Sequence, residues 1–422
     1  MQKKWFIFPL IAAVFLDTLG MGIVTPLLPI YAEELLDDKA SLGMLVGLLF
    51  ATHSLMRIVA MPLFGYLSDR LGKRKVFILS GLIIFMLASV GYALAESYAD
   101  LLLMRLLQGV GSTMFYPIVL SYVAEMSPDG KEGGYVGPVN SAAFIGMGTG
   151  PILGGFLTDL FHYHWVFFGM GFMSLGAFVL ILFMVPDSPV AQKRKVGRAD
   201  LKAAFANRII GGVMLYRFLN AFLRGGQMSF MPLLATAFYG LSFKEIGIVF
   251  ACKTFLVGVL QSPFERLADR WPKVPLIVFG NLIAALALIL LPVAGGFWGM
   301  LPLSALIGIG SAIAIASAVA ITVQQGKKNK LMSSTMGLFG FSMSVGMLAS
   351  PLFSGTVHDS AGLFWVFPAC GGLVIVGTGV VAWLLGSQKS LSARAPEPAP
   401  VGGPEIVAEP VTTEFAEGQR AR

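Results

Sequence analysis

Charge is what this sequence has least of. Asp, Glu, Lys and Arg make up 13% of its 422 residues, where a soluble domain carries roughly 25%. So little charge cannot cover a water-facing globule of this length. Cysteine is nearly absent as well. Cys252 and Cys370 both fall in apolar runs, read as small buried side chains, which excludes a disulfide framework. With four histidines and isolated carboxylates there is no triad or metal motif. We expect no catalytic residues, no metal, no cofactor and no enzyme activity. A phosphate-cradling P-loop is also missing, which excludes ATP as a driving force. A cleavable signal is not expected: Met1-Gln2-Lys3-Lys4 leads into a segment too long for one.

What is present is apolar length. Hydrophobic residues reach 56%, and many of the 50 glycines and 23 prolines lie inside apolar runs. Helices in lipid tolerate both when neighbours cover the loosened backbone. A run of 18 residues or more crosses a hydrocarbon core of about 30 Å at ~1.5 Å per residue. Twelve candidate spans follow: 5–31, 42–67, 76–95, 101–124, 134–160, 166–185, 209–238, 243–267, 274–294, 297–323, 332–356 and 363–385. The expected fold is an all-α membrane protein of twelve helices.

Of the 30 Lys and Arg residues, Arg57, Arg105, Arg217, Arg224 and Lys253 lie deep within spans. Lys39 and Lys244 are the two in one set of loops, and the remainder fall in the alternate set and the termini. That asymmetry places both termini in the cytoplasm of a multi-pass cell-membrane protein. The net charge of +7 then reports topology, so nucleic acid is not an expected partner.

The chain repeats itself at an offset of 200. Leu67-Ser68-Asp69-Arg70 matches Leu267-Ala268-Asp269-Arg270, and Lys73 matches Lys273. Gly146, Met147, Pro151 and Gly155 match Gly346, Met347, Pro351 and Gly355, and Trp165-Val166-Phe167 matches Trp365-Val366-Phe367. The register drifts in the first span of each half. Residues 1–185 and 209–385 are therefore expected to form two pseudo-symmetric six-helix bundles. A basic cytoplasmic linker at 186–208 joins them, and a Pro-rich disordered cytoplasmic tail occupies 386–422. Repeats around a central cavity are a transporter architecture.

Four stretches carry a family resemblance. Gly65-Tyr66-Leu67-Ser68-Asp69-Arg70-Leu71-Gly72-Lys73-Arg74-Lys75 joins spans two and three. Arg105-Leu106-Leu107-Gln108-Gly109-Val110-Gly111 lies in span four, and Gly146-Met147-Gly148-Thr149-Gly150-Pro151-Ile152-Leu153-Gly154-Gly155 in span five. Span one has Leu16-Asp17-Thr18-Leu19-Gly20. On these motifs the chain resembles the major facilitator superfamily over about residues 5–385. Within it, the resemblance is to the twelve-helix drug:proton antiporters, in the tetracycline-exporter-like branch. Span three has no acid, and span nine carries only Asn281 as a strongly polar group, which argues against tetracycline itself. Glu265 and Pro272 replace glycines of the signature loop in the second half.

The resemblance implies secondary active transport by alternating access, with protons moving against an exported small molecule. It also implies a monomer, and a role in proton coupling for Arg105. Gating falls to Gly65, Asp69, Arg70, Gly72, Arg74, Gly150, Pro151, Asp269 and Arg270. Gly65 is read as allowing close helix approach. Asp69 is read as pairing with a cation or a facing helix N-terminus to latch the cytoplasmic side. Gly146, Gly150 and Gly154 offer a smooth face every fourth residue, and Pro151 interrupts the backbone ladder.

Ionisable groups at membrane depth cost on the order of 3 kcal/mol each and are functional hypotheses by default. Asp17, His53, Arg217 and Lys253 lie near mid-span. Asp17 is the one deep acid, expected beside cations and so charged, while His53 or Lys253 is expected to exchange protons. Asp17, Arg105 and His53 are the proton-coupling candidates. Arg57, Arg217, Arg224, Lys253, Asn220 and Asn140 are the substrate-binding candidates. His53 and Lys253 match at offset 200 and are expected to face one another. The cation excess favours an anionic, zwitterionic or neutral polar solute. Other readings are an imported amphipathic anion or lipid-like cargo, or a non-transporting membrane sensor on a carrier scaffold.

Overall fold

A computed structural model describes residues 7–36, 41–127, 132–187, 208–328 and 332–386. Most of the expected linker, and the tail beyond Gly386, lie outside the described residues. Twelve α-helices and one 3-10 turn make up the described chain. The first six are α1 (Ile7–Glu34), α2 (Leu42–Leu71), α3 (Arg74–Ala93), α4 (Tyr98–Met126), α5 (Glu132–Phe161) and α6 (Tyr163–Met184). The last six are α7 (Arg208–Tyr239), α8 (Phe243–Arg270), α9 (Lys273–Leu290), α10 (Phe297–Lys328), α11 (Met332–Ala361) and α12 (Leu363–Gly386). The turn Leu291–Val293 follows α9.

Among the described residues, ten helices are long and apolar enough to cross a membrane. The other two, α7 and α8, are those that carry Arg217, Arg224 and Lys253. Several helices outrun the expected spans: α11 continues to Ala361 and α10 to Lys328. Hydropathy reads only the lipid-facing stretch, whereas backbone groups beyond it are still best satisfied by further helical turns. Ends are set by local chemistry. Ser97 with Asp100, and Ser242 with Glu245, form capping boxes that open α4 and α8. Gly72 ends α2 at φ 64°, a left-handed position that costs glycine nothing, with its N–H on the Ser68 carbonyl.

The helices pack in the same pattern in each half. α1 lies on α5 and α6 as α7 lies on α11 and α12. α4 lies between α2 and α3 as α10 lies between α8 and α9. A Cβ on Gly109 would press on the His53 backbone, and one on Gly308 on the Lys253 backbone, which makes these two residues structural equivalents. The drift in the first helices has a definite size. Gly146 abuts the Phe15 carbonyl and Thr18, and Gly346 abuts the Phe218 carbonyl and Ala221, a relation of 203 positions. Asp17 in the first half therefore stands where Asn220 stands in the second.

Two helix pairs join the halves most extensively, α2 with α11 and α5 with α8. Both touch at the face opposite the basic loop Gly72-Lys73. A Cβ at Gly47 would collide with the Pro351 carbonyl, and one at Gly247 with the Pro151 carbonyl. Gly355 sits equally tightly on Gly43, and Gly155 on Phe243. Asp359 accepts the N–H groups of Gly43 (2.8 Å) and Met44 (2.9 Å) at the start of α2. Asp159 accepts the N–H of Lys244 (3.0 Å) at the start of α8. Each carboxylate thus caps a helix of the other half. Toward the basic loops the same helices part: Cβ atoms at Gly65 on α2, Gly134 and Gly137 on α5, and Gly337 and Gly340 on α11 would meet nothing within 4 Å. Among the described glycines, close contacts between the halves therefore lie at one face, the sealed one, and are missing at the other, the open one.

Candidate functional site

Between the sealed face and the open one lie the polar residues that interrupt the apolar helices. Asp17 on α1 is buried, 4% exposed, and its Oδ1 has no hydrogen-bond partner. No ion pair joins Asp17 to any described cation, against expectation. Arg105 on α4 does not reach it. Its Nη1 donates to Gln108 Oε1 at 2.7 Å, and its guanidinium lies 4.9 Å from the Phe50 ring centre. Gln108 also accepts from the Tyr92 hydroxyl at 3.2 Å, so an amide and an aromatic face have taken the place expected for a carboxylate. His53 on α2 is buried with Nε2 unpartnered, within electrostatic reach of Arg105 and Arg57. Buried polar atoms without partners are uncommon in native structures, and each one calls for a cause. Among the described residues five lie in the first half, Asp17 Oδ1, His53 Nε2 and Arg105 Nε with Gln108 Nε2 and Thr158 Oγ1.

The second half is arranged differently. Lys253 is buried and its Nζ donates to Gln227 Oε1, so it turns to α7 and does not meet His53. Arg217 lies over the Phe339 ring at 4.9 Å and donates to Asn220 Oδ1 (3.3 Å) and Met343 Sδ (2.7 Å). Arg224 is exposed, although it sits midway along α7 between buried neighbours, and its Nε donates to Met228 Sδ at 3.4 Å. A thioether is a weak acceptor, so these guanidiniums are held loosely. Arg224 interacts electrostatically with Arg217 and with Arg57 of the other half, and Lys253 with Arg224. Arg57 is half-buried beside Tyr116, whose hydroxyl donates to Asn140 Oδ1 at 2.8 Å. Electrostatic reach thus links Lys253 to Arg224 and Arg224 to both Arg217 and Arg57, while Asn140 and Asn220 accept from Tyr116 and Arg217.

The gating candidates divide between the two faces. Asp69 pairs with Arg74 at 2.8 Å, and Arg74 is also held bidentately by Glu125 at the end of α4. Asp69 therefore braces its own half and does not cap a facing helix. Gly65 has open space around it, so the close approach expected there is not made in this conformation. Arg70 and Arg270 are exposed, and the side chain of Asp269 lies outside the described residues. Gly146, Gly150 and Gly154 do form the expected smooth face, packed on Thr18, Leu19 and Ile23 of α1. Pro151 serves at the sealed face through its carbonyl. Sequence reading missed Asp159, Asp359, Gly47, Gly247, Gln108 and Gln227. The first four form two pairs at offset 200 and were open to the same self-comparison that exposed the other repeats.

Comparison with known proteins follows the same lines. The Major Facilitator Superfamily profile matches residues 10–217 and 213–417. An uncharacterized MFS-type transporter of Methanocaldococcus jannaschii is 26% identical over 386 residues, covering 90% of this chain and 97% of that protein. The quinolone resistance protein NorA of Staphylococcus aureus strain MRSA252 is 28% identical over 312 residues, covering 72% and 78%. The crystal structure of a bacterial homolog to the human lysosomal transporter Spinster, inward-facing and occupied, superposes with a TM-score of 0.75 at 16% identity over 94% of this chain and 100% of that one.

Proposed function

Because this chain belongs to the major facilitator superfamily, whose members are membrane transporters and not enzymes, we propose that it exports a small molecule across the cell membrane in exchange for protons. In this reading all twelve helices span, in two six-helix bundles, residues 1–185 and 209–385. The basic loops and both termini face the cytoplasm, and the carrier works as a monomer. The conformation is then inward-open. Solute enters between α2, α5, α8 and α11 from the cytoplasm, binds among the mid-membrane polar groups, and leaves when the Asp159 and Asp359 seals part.

The observation that carries this reading is the one-sided opening of a repeated fold. Close contacts between halves lie at one face, while Gly65, Gly134, Gly137, Gly337 and Gly340 face empty space at the other. Asp17, with its unpartnered Oδ1 and in none of the described ion pairs, is the group best suited to take up and release a proton. His53 and Arg105 line the same half as the next links. The sequence likeness to a quinolone resistance protein makes drug efflux the working form of this reading.

The test uses purified protein in liposomes with an imposed pH gradient and norfloxacin, a quinolone, as probe. Uphill norfloxacin movement that collapses with the gradient, and is lost in Asp17→Asn, is expected. Movement driven equally well by the Asp17→Asn protein sinks the proton-coupling assignment.

A further inference from the structure

The charges along the pathway do not balance, and the imbalance specifies a cargo. Five cations stand inside the spans, and none of the described ion pairs includes any of them. The one acid at that depth, Asp17, is buried and forms no ion pair. The cations also differ in access. Arg105 and Lys253 are buried and each donates to a glutamine, Lys253 to Gln227 and Arg105 Nη1 to Gln108, with Arg105 Nε left without a partner. Arg57 and Arg217 are partly open, and Arg224 is exposed. The water-accessible cations therefore come from both halves, with Arg57 on α2 within electrostatic reach of Arg224 on α7.

We propose that the pathway binds an amphipathic organic anion, its carboxylate or sulfonate bridging Arg57 and Arg224 and its apolar body lying on the Phe339–Met343 side. This deepens the transport reading and rests on it. Like charges facing one another across the closing interface repel, so bringing the halves together around an empty site is unfavourable in a medium of low dielectric constant. An anion between them turns that repulsion into two attractions. A guanidinium is suited to the task, since its planar fork binds carboxylate-type oxygens bidentately. Arg217 lies seven residues toward the open face from Arg224 on the same helix, ~10 Å along the axis. It makes a first station for an anion moving inward. Its present partners, the Met343 thioether and the Phe339 ring, are a weak acceptor and an apolar platform. The charged group of the anion would displace the first, and its apolar body would lie against the second.

The experiment compares three probes that share one ring system: 2-naphthalenesulfonate, 2-naphthol and 2-naphthylmethylammonium. Binding is measured by isothermal titration calorimetry on the full-length protein in detergent, with Arg57→Gln, Arg224→Gln and the charge-keeping Arg57→Lys. The expected order is sulfonate at least about tenfold tighter than naphthol, with the ammonium weakest. Each Gln variant should weaken the sulfonate by about tenfold or more, the usual effect of losing a charged hydrogen bond. Naphthol binding should stay within about twofold, which separates charge loss from misfolding, and Arg57→Lys should recover part of the affinity. Equal binding of the three probes, absence of sulfonate binding, or sulfonate affinity untouched by both Gln variants overturns the proposal. Norfloxacin driven uphill without any anion preference defeats this inference alone. Arginine-dependent sulfonate binding in a protein that moves nothing across a membrane defeats the transport reading alone.

Discussion

Removing the two carboxylates at the sealed face should open it. Asp359 holds two N–H groups at the start of α2, and Asp159 holds one at the start of α8, each across the junction between halves. A carboxylate at a helix N-terminus is worth about 0.3–1 kcal/mol when exposed and up to ~2 when partly buried. The Asp359 side chain is 22% exposed, which puts its contribution near ~1.5 kcal/mol and that of singly bonded Asp159 near ~0.5 kcal/mol. Asparagine keeps an acceptor but loses the charge. The double variant Asp159→Asn, Asp359→Asn should thus lose ~1.5–2 kcal/mol of sealing energy, a shift of ~10–30-fold in the ratio of sealed to open forms. Spin labels at Ser41 and Ser360, in a protein lacking Cys252 and Cys370, report on this junction. Both serines are exposed, and Ser41 makes no side-chain cap bond that a label would break. The label-to-label distance should be short in the parent and gain a longer population in the double variant. An unchanged distribution would refute the reasoning, because the caps would then contribute nothing to closure.

Four further outcomes follow from the same contacts. Gly47→Leu or Gly247→Leu should abolish transport while leaving the protein folded, since the side chain meets a proline carbonyl only when the face is sealed; the label pair at Ser41 and Ser360 should read long. Asp17→Asn should retain solute binding but lose any dependence of solute flux on the pH gradient, measured in liposomes. Gln227→Leu strips Lys253 of its hydrogen bond and leaves a buried ammonium unpaired, at ~1–3 kcal/mol, visible as a lowered melting midpoint that Gln227→Glu restores. Arg74→Ala releases Asp69 and Glu125, which are 53% and 31% exposed. Solvent screening holds the loss to about 1 kcal/mol, and the change should show as faster proteolysis at the Gly72–Arg74 loop.

The sequence made the helices and their family legible because membrane length and glycine spacing are local properties. It made the depth of the charges legible for the same reason. It could not tell which charges would be paired. Asp17 was expected beside a cation because both kinds of charge stood at membrane depth, but it joins none of the described ion pairs, and a ring and an amide, Phe50 and Gln108, meet Arg105. Lys253 was likewise met by Gln227, a residue with no charge to attract notice. Asp69 meets one of its two expected partners, the cation Arg74, and not the facing helix N-terminus. Its partner depends on which face is open, and a sequence holds both conformations at once. Asp159 and Asp359 lie at helix ends where polar residues are ordinary, so only their offset of 200 distinguished them.

That offset has a consequence for how the two faces can change. At the sealed face every contact is made twice, glycine on proline carbonyl and carboxylate on helix start, and both copies must let go before the face can part. At the basic-loop face the copies differ: Gly65 has Glu265 as its counterpart, and Gly72 has Pro272. A duplicated lock holds with either bolt, so loss of one cap alone, Asp159 or Asp359, should leave a carrier that leaks little but cycles faster, whereas a side chain wedged at Gly47 or Gly247 keeps the face from sealing at all. The single, asymmetric side has no such reserve. The protein's tolerance to losing a polar contact should therefore be lopsided, forgiving of a single lost cap at the face with the matched pairs and strict at the one where each half has its own part.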